Sequence, residues 1–285
     1  MPDCFHSSLL PTASVDPGAW QARLRLRFER DGETTRLTER SHSGPLRVQK
    51  GLYPEGAQTC HAIVIHPPGG VVGGDRLSID VGAGAGAHAF LTTPGAAKWY
   101  RANGKLSVQD VRIEAAAGAC VEWLPQETIF FDDAHVELNH TVDLAADASY
   151  IGGEILCFGR RASGERFASG AVVQRTCIRR GGKLLWWEQG GMGASGPAMH
   201  SVFGLDGATV CATLIGIGKP LAPIVVSAMR AIDPALAVTQ MKSVFVARLL
   251  CDDSERARRA MAMLWQQVRL DWYGCAAVIP RIWNT

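Results

Sequence analysis

The residues His66-Pro67-Pro68-Gly69-Gly70-Val71-Val72-Gly73-Gly74-Asp75 put an imidazole and a carboxylate at the two ends of one loop. Proline fixes φ and glycine admits positive φ, so this is a built turn rather than a slack linker. Its ends offer proton transfer or metal ligation. Phosphate binding does not fit: a P-loop needs Lys and Ser/Thr after its last glycine, and Asp75-Arg76 stand there instead. Gly82-Ala83-Gly84-Ala85-Gly86 misses the dinucleotide spacing and is followed by another strand pattern, so it reads as a tight β-connection.

Three acids sit against glycine or apolar neighbours: Asp75 after Gly73-Gly74, Glu154 after Gly152-Gly153, and Glu188 after Trp186-Trp187. A buried carboxylate is costly unless paired, protonated or metal-bound. If the three share a cavity, they are oxygen ligands for a divalent ion in transit, since carboxylate and imidazole hold first-row metals without locking them in. Asp75 could instead cap its own loop, and Glu188 could face solvent. Cys60 and His66 have the same parity along an extended strand and so share a face, whereas His61 points the other way. A satisfied structural role is the simpler reading of each histidine. Neither G-x-S-x-G nor H-E-x-x-H occurs.

The elements that must position these groups are mostly strands. Leu24–Glu29, Val108–Glu114 and Val136–Leu144 alternate apolar and polar residues, and turn residues punctuate further strand patterns through the first two hundred residues. Helices are expected late, over 222–231 and 254–272. The second has Asp252 and Glu255 as a capping box and Gly274 as its stop. The fold expected is mostly β: a single large multi-strand domain over residues 18–285, with about two helices in the C-terminal half. Residues 1–17 read as a disordered tail without the features of a signal peptide.

Composition narrows the function. The chain has 285 residues, 47% hydrophobic and 20% charged, and a net charge of +2. Nothing global points to nucleic acid or to a membrane, and no apolar run is long enough to span one. Eight scattered cysteines without C-x-x-C suit reduced thiols in the cytoplasm. Charge is uneven: residues 110–154 hold ten acids and one base, and residues 160–183 hold seven bases and one acid. Solvated strand faces account for this, and so would two faces for different partners.

Six segments in order resemble the UreD (UreH) family of urease accessory proteins: Gly44–Glu55, Cys60–Asp75, Thr93–Arg101, Glu122–Phe131, Leu156–Arg160 and Pro280–Trp283. The resemblance runs from about residue 20 to the end. It implies a non-enzymatic β-rich scaffold that binds the urease apoenzyme subunits. It also implies recruitment of the helical partner UreF and, through it, the GTPase UreG, so that nickel reaches the urease active site. GTP chemistry would then belong to the partner. No cofactor would be tightly bound, and Ni2+ would pass transiently. Under this reading Asp75, Glu154, Glu188, Cys60 and His66 are candidate linings of a nickel path. Pro68, Gly70, Gly74, Lys98, Tyr100, Arg281 and Trp283 are candidates for loop architecture or partner binding. Two other readings compete: a β-fold hydrolase using Asp75 and Glu154 as an acid/base pair, and a nickel-storage protein.

Overall fold

A computed structural model describes residue 10 and residues 18–284; the rest of the expected tail lies outside the described residues. The molecule is mostly β, as the alternation predicts. Its seven-stranded sheet runs, in spatial order, Lys183–Gly193, Gly170–Arg180, Ala134–Leu144, Ser107–Ala115, Arg76–Ala83, Gln21–Asp31 and Thr34–Ser43. The five inner strands are parallel, and an antiparallel strand closes each end. The second sheet centres on Ser149–Arg160. On one side lie the parallel strands Cys120–Trp123, His88–Thr92 and Thr59–Ile65; on the other lie the antiparallel strands Val210–Ile217, Val244–Cys251 and Leu236–Met241.

Parallel strands usually need long helical crossovers. Here each return passes through the opposite sheet. The chain coils from Arg76–Ala83 to His88–Thr92, back to Ser107–Ala115, on to Cys120–Trp123, and so upward. The corners are stacked tight turns of small residues. Ala87 N–H donates to Gly84 O, Ala119 N–H to Ala116 O and Ala148 N–H to Ala145 O, while Gly86 N–H reaches Ala117 O in the next layer. Strand spacing leaves successive corners only about 4.8 Å apart, which favours Ala and Gly. Gly82–Gly86 is therefore a β-connection.

Parity decides which side chains meet. In Gln21–Asp31, Ala22, Leu24, Leu26 and Phe28 are buried, while Arg23 and Arg25 are exposed. Leu24, Ile113, Val142 and Ile178 pack with Leu91, Val121 and Tyr150 between the sheets. A second apolar layer joins the other face of the second sheet to the helices. It contains Phe90, Ile151 and Phe245 with Leu264, Trp265 and Val268. In-register pairing also explains the uneven charge. The acid-rich and base-rich strands are neighbours on one outer face, where Arg175 pairs with Glu137 and Arg179 approaches Asp143.

Among the described residues three α-helices form: α1 (Pro197–His200), α2 (Pro223–Arg230) and α3 (Ser254–Tyr273). The cap of α3 is one residue later than the sequence suggested. Asp253 accepts from the N–H groups of Glu255 and Arg256, while Asp252 accepts from Thr209 N–H across the fold. Gly274 ends the helix at φ 66°. Fully buried Arg269 fixes α3 to the sheet, between the carboxylates of Glu55 and Glu122. His61 pairs with Glu55, and His88 with Glu122. His61 thus has the satisfied structural role.

Candidate functional site

The glycine loop leaves the end of Thr59–Ile65 and lies on the next coil. Val71 N–H donates to Lys98 O, and Tyr100 N–H donates to Val71 O. The close approach explains two of its glycines. A Cβ on Gly70 would overlap the ring of Tyr100, and one on Gly73 would overlap the Ala102 carbonyl. Gly74 adopts φ 99°. Tyr100 is braced in turn edge-on by Phe131, with centroids 4.7 Å apart. Pro68 sits exposed at the tip of the turn.

Asp75 is 2% exposed. Its Oδ1 accepts from Trp20 N–H at 2.9 Å and its Oδ2 from Val72 N–H at 3.1 Å. Both oxygens are spent on backbone donors, which ties the chain start to the loop. Cys60 is fully buried on the core side, partnered by Tyr53, and burial pushes its thiol up. Neither residue borders a described cavity.

His66 does. It lines a cavity of about 320 Å³ with Gly69, Gly70, Trp99 and, at the rim, Lys98. Its Nε2 is buried without a partner, and burial pushes the imidazole below its ordinary value while Asp75 opposes that.

A smaller cavity of about 80 Å³ lies between the sheets. Two polar rows face each other across it. On the seven-stranded sheet His140, Thr176 and Glu188 stand side by side in register; on the other sheet Glu154, Thr213 and Arg248 do. Glu154 accepts a hydrogen bond from Gln174, and Glu188 is ion-paired with Arg248. Burial, reinforced by Glu188 and opposed by Gln174 and Arg248, pushes Glu154 up to about 7. Burial holds His140 down at about 4, so it stays a neutral imidazole near pH 7, hydrogen-bonded to Tyr150 OH at 2.8 Å. The two cavities share Gln109, Trp123, Pro125 and Thr128 as lining.

The fold thus brings Glu154 and Glu188 together, sets His66 on the adjoining cavity, and leaves Asp75 and Cys60 outside both. His140, Gln174 and Arg248 are additions to the residues singled out from sequence. Strand parity carries the signal for the first two: His140 follows Val136 and Leu138 on the inward side, and Gln174 follows Val172. Among the described residues no three of His, Cys, Asp and Glu are placed to hold a metal together. The cavity therefore holds two carboxylates in unequal settings, Glu188 on the Arg248 guanidinium and Glu154 on neutral donors.

The C-terminal candidates divide. Arg281 is exposed, whereas Trp283 tucks inward: its Nε1–H donates to Thr92 Oγ1 at 2.8 Å, and its ring lies 5.9 Å from that of Trp265. Among the described residues no helix is long and apolar enough to cross a membrane.

Residues 21–284 match the family model described as UreD urease accessory protein. The chain is 60% identical over 271 residues to the urease accessory protein UreD of Janthinobacterium sp. (strain Marseille), covering 93% of this chain and 92% of that protein. It is 48% identical over 272 residues to the protein of the same name from Nitrosospira multiformis, covering 93% and 98%. It is also 48% identical over 288 residues to that of Dechloromonas aromatica, covering 98% and 100%.

Proposed function

Since the chain belongs to the UreD family of urease accessory proteins, we propose that it serves urease maturation as a non-catalytic scaffold whose interior passes Ni2+ toward the apoenzyme. The observation that carries this reading is the pair of polar rows that face each other between the two sheets. Glu154 and Glu188 converge there on one cavity, which adjoins a second at His66. Ni2+ is cargo here. One carboxylate on neutral donors, a second shared with Arg248 and a neutral imidazole would hold such an ion weakly, which suits one that must be accepted and then released. On this reading UreF docks on the scaffold and brings UreG, which supplies the GTP chemistry.

The competing hydrolase needs Asp75 and Glu154 in one cleft. Asp75 instead spends both oxygens on backbone N–H groups and borders neither cavity. That geometry favours the scaffold.

The test is co-purification of the chain with urease subunits, with and without UreF, followed by nickel analysis. Association, with nickel loading that falls in Glu154→Gln and Glu188→Gln while the complex persists, supports the path. Loss of assembly in those variants makes the residues structural; unchanged loading moves the path elsewhere. A stoichiometric, tight nickel site on the isolated chain would favour storage.

A further inference from the structure

Arg269 and Arg248 both bridge layers of the fold, in opposite ways. Arg269 is fully buried and stands between two carboxylates, Glu55 and Glu122. Arg248 joins the second sheet to the first through Glu188, with its side chain 41% exposed and that of Glu188 29%. Among the described residues its guanidinium donates one hydrogen bond, from Nη2 to Glu188 Oε1, and its Nε is buried without a partner. A half-exposed ion pair on one hydrogen bond contributes little to stability, so a structural staple is a poor account of it.

Its place is more telling. In the seven-stranded sheet Glu188 lies on the end strand Lys183–Gly193, with Thr176 and then His140 further in. Across from them the order from the outside is Arg248, Thr213 and Glu154. The ion pair thus stands at the outer end of both polar rows, and Glu154 lies two strands deeper, about 10 Å by strand spacing. No Lys or Arg lines the cavity itself. Arg248 is therefore the cation that answers its carboxylates.

We infer that Arg248 is the gate of this cavity: its guanidinium holds, on Glu188, the position a divalent cation takes when the side chain swings out to solvent. The inference rests on the path reading above and adds to it the residue that controls entry. A long arginine stem keeps its charged head in water as it leaves, so opening needs no movement of either sheet. The exchange is also selective. A monovalent ion brings Glu188 no more charge than the guanidinium it displaces, whereas a divalent ion brings twice as much and is drawn on by Glu154.

Equilibrium dialysis of the full chain against NiCl2 tests the gate. Arg248→Met keeps the stem and removes the charge, and it should bind Ni2+ at least about tenfold more tightly than the wild-type chain. Arg248→Gln, which can still donate a hydrogen bond to Glu188, should show the same gain, and Arg248→Lys should stay near wild type. Adding Glu188→Gln to Arg248→Met should abolish the gain. Near-UV circular dichroism verifies the fold of each variant. No gain in either neutral variant, an equal gain in Arg248→Lys, or a gain that survives Glu188→Gln would each overturn the gate. The path itself answers to a different readout, the nickel content of the urease complex in the single Glu154→Gln and Glu188→Gln variants, so the two failures are distinguishable.

Discussion

Glu154 and Glu188 border one cavity from opposite sheets, and only Glu188 has an ion-pair partner among the described residues. Arg248 takes Glu188, while Glu154 has the amide of Gln174. The paired carboxylate is thereby compensated and the other is left to burial. Burial pushes the Glu154 carboxyl up to about 7.

A carboxyl raised to about 7 in the folded state, from about 4.5 unfolded, binds its proton more tightly when folded. Its effect on stability is therefore absent below pH ~4.5, grows into a loss as pH rises from there to 7, and is complete above 7. Glu154→Gln should leave the melting temperature unchanged at pH 4. At pH 8 it should stabilise by up to about 3 kcal/mol. Thermal melts of both proteins across pH 4–8 check this; equal pH slopes would rule out ionisation of Glu154 as the cause.

Asp75 behaves differently if its work is to hold the loop. Asp75→Ala leaves Trp20 N–H and Val72 N–H without an acceptor, at a cost of about 1–3 kcal/mol. Asp75→Asn keeps one acceptor oxygen and should recover part of that loss. Urea unfolding of the two variants gives the order, and an unaltered midpoint for the alanine variant would contradict the loop-anchor role.

The buried Arg269 stands between Glu55 and Glu122, both taken out of water. Arg269→Leu should cost about 3–5 kcal/mol, because two carboxylates lose their cation. Hydrogen exchange should localise the effect to α3 and to strand Cys120–Trp123. Uniform exchange changes across the molecule would argue against a local staple.

Glu55 supplies the acid-side counterpart. Its burial is outweighed by hydrogen bonds and charge from His61 and Arg269, and the carboxyl is held at about 2. Its contribution is present above pH ~4.5 and lost as pH falls toward 2. It amounts to roughly 3 kcal/mol at most. Glu55→Gln should flatten the stability profile between pH 4.5 and 2, which acid-unfolding curves would register.

Much of the architecture was legible in the chain because its causes are local. The alternation Leu24-Arg25-Leu26-Arg27-Phe28 obliges a half-buried strand, and the 3- and 4-residue steps of Ala257, Met261, Leu264 and Val268 oblige an amphipathic helix. The crowded glycines of the loop announced a fixed path. Asp75 shows where local reading stops: glycine neighbours look the same whether the acid lines a cavity or caps a turn. What separates the two is a donor, Trp20 N–H, 55 residues away.

By itself, then, the sequence determined the strand-rich class, the face each strand residue presents, and the family, because periodicity and motif order are properties of a single chain segment read in turn. Register between strands is not such a property. Only the coiling of the chain set His140, Thr176 and Glu188 side by side in one sheet and Glu154, Thr213 and Arg248 side by side in the other. The tertiary structure alone brought the two rows face to face, and with them burial and charge, the two causes that hold Glu154 near neutrality.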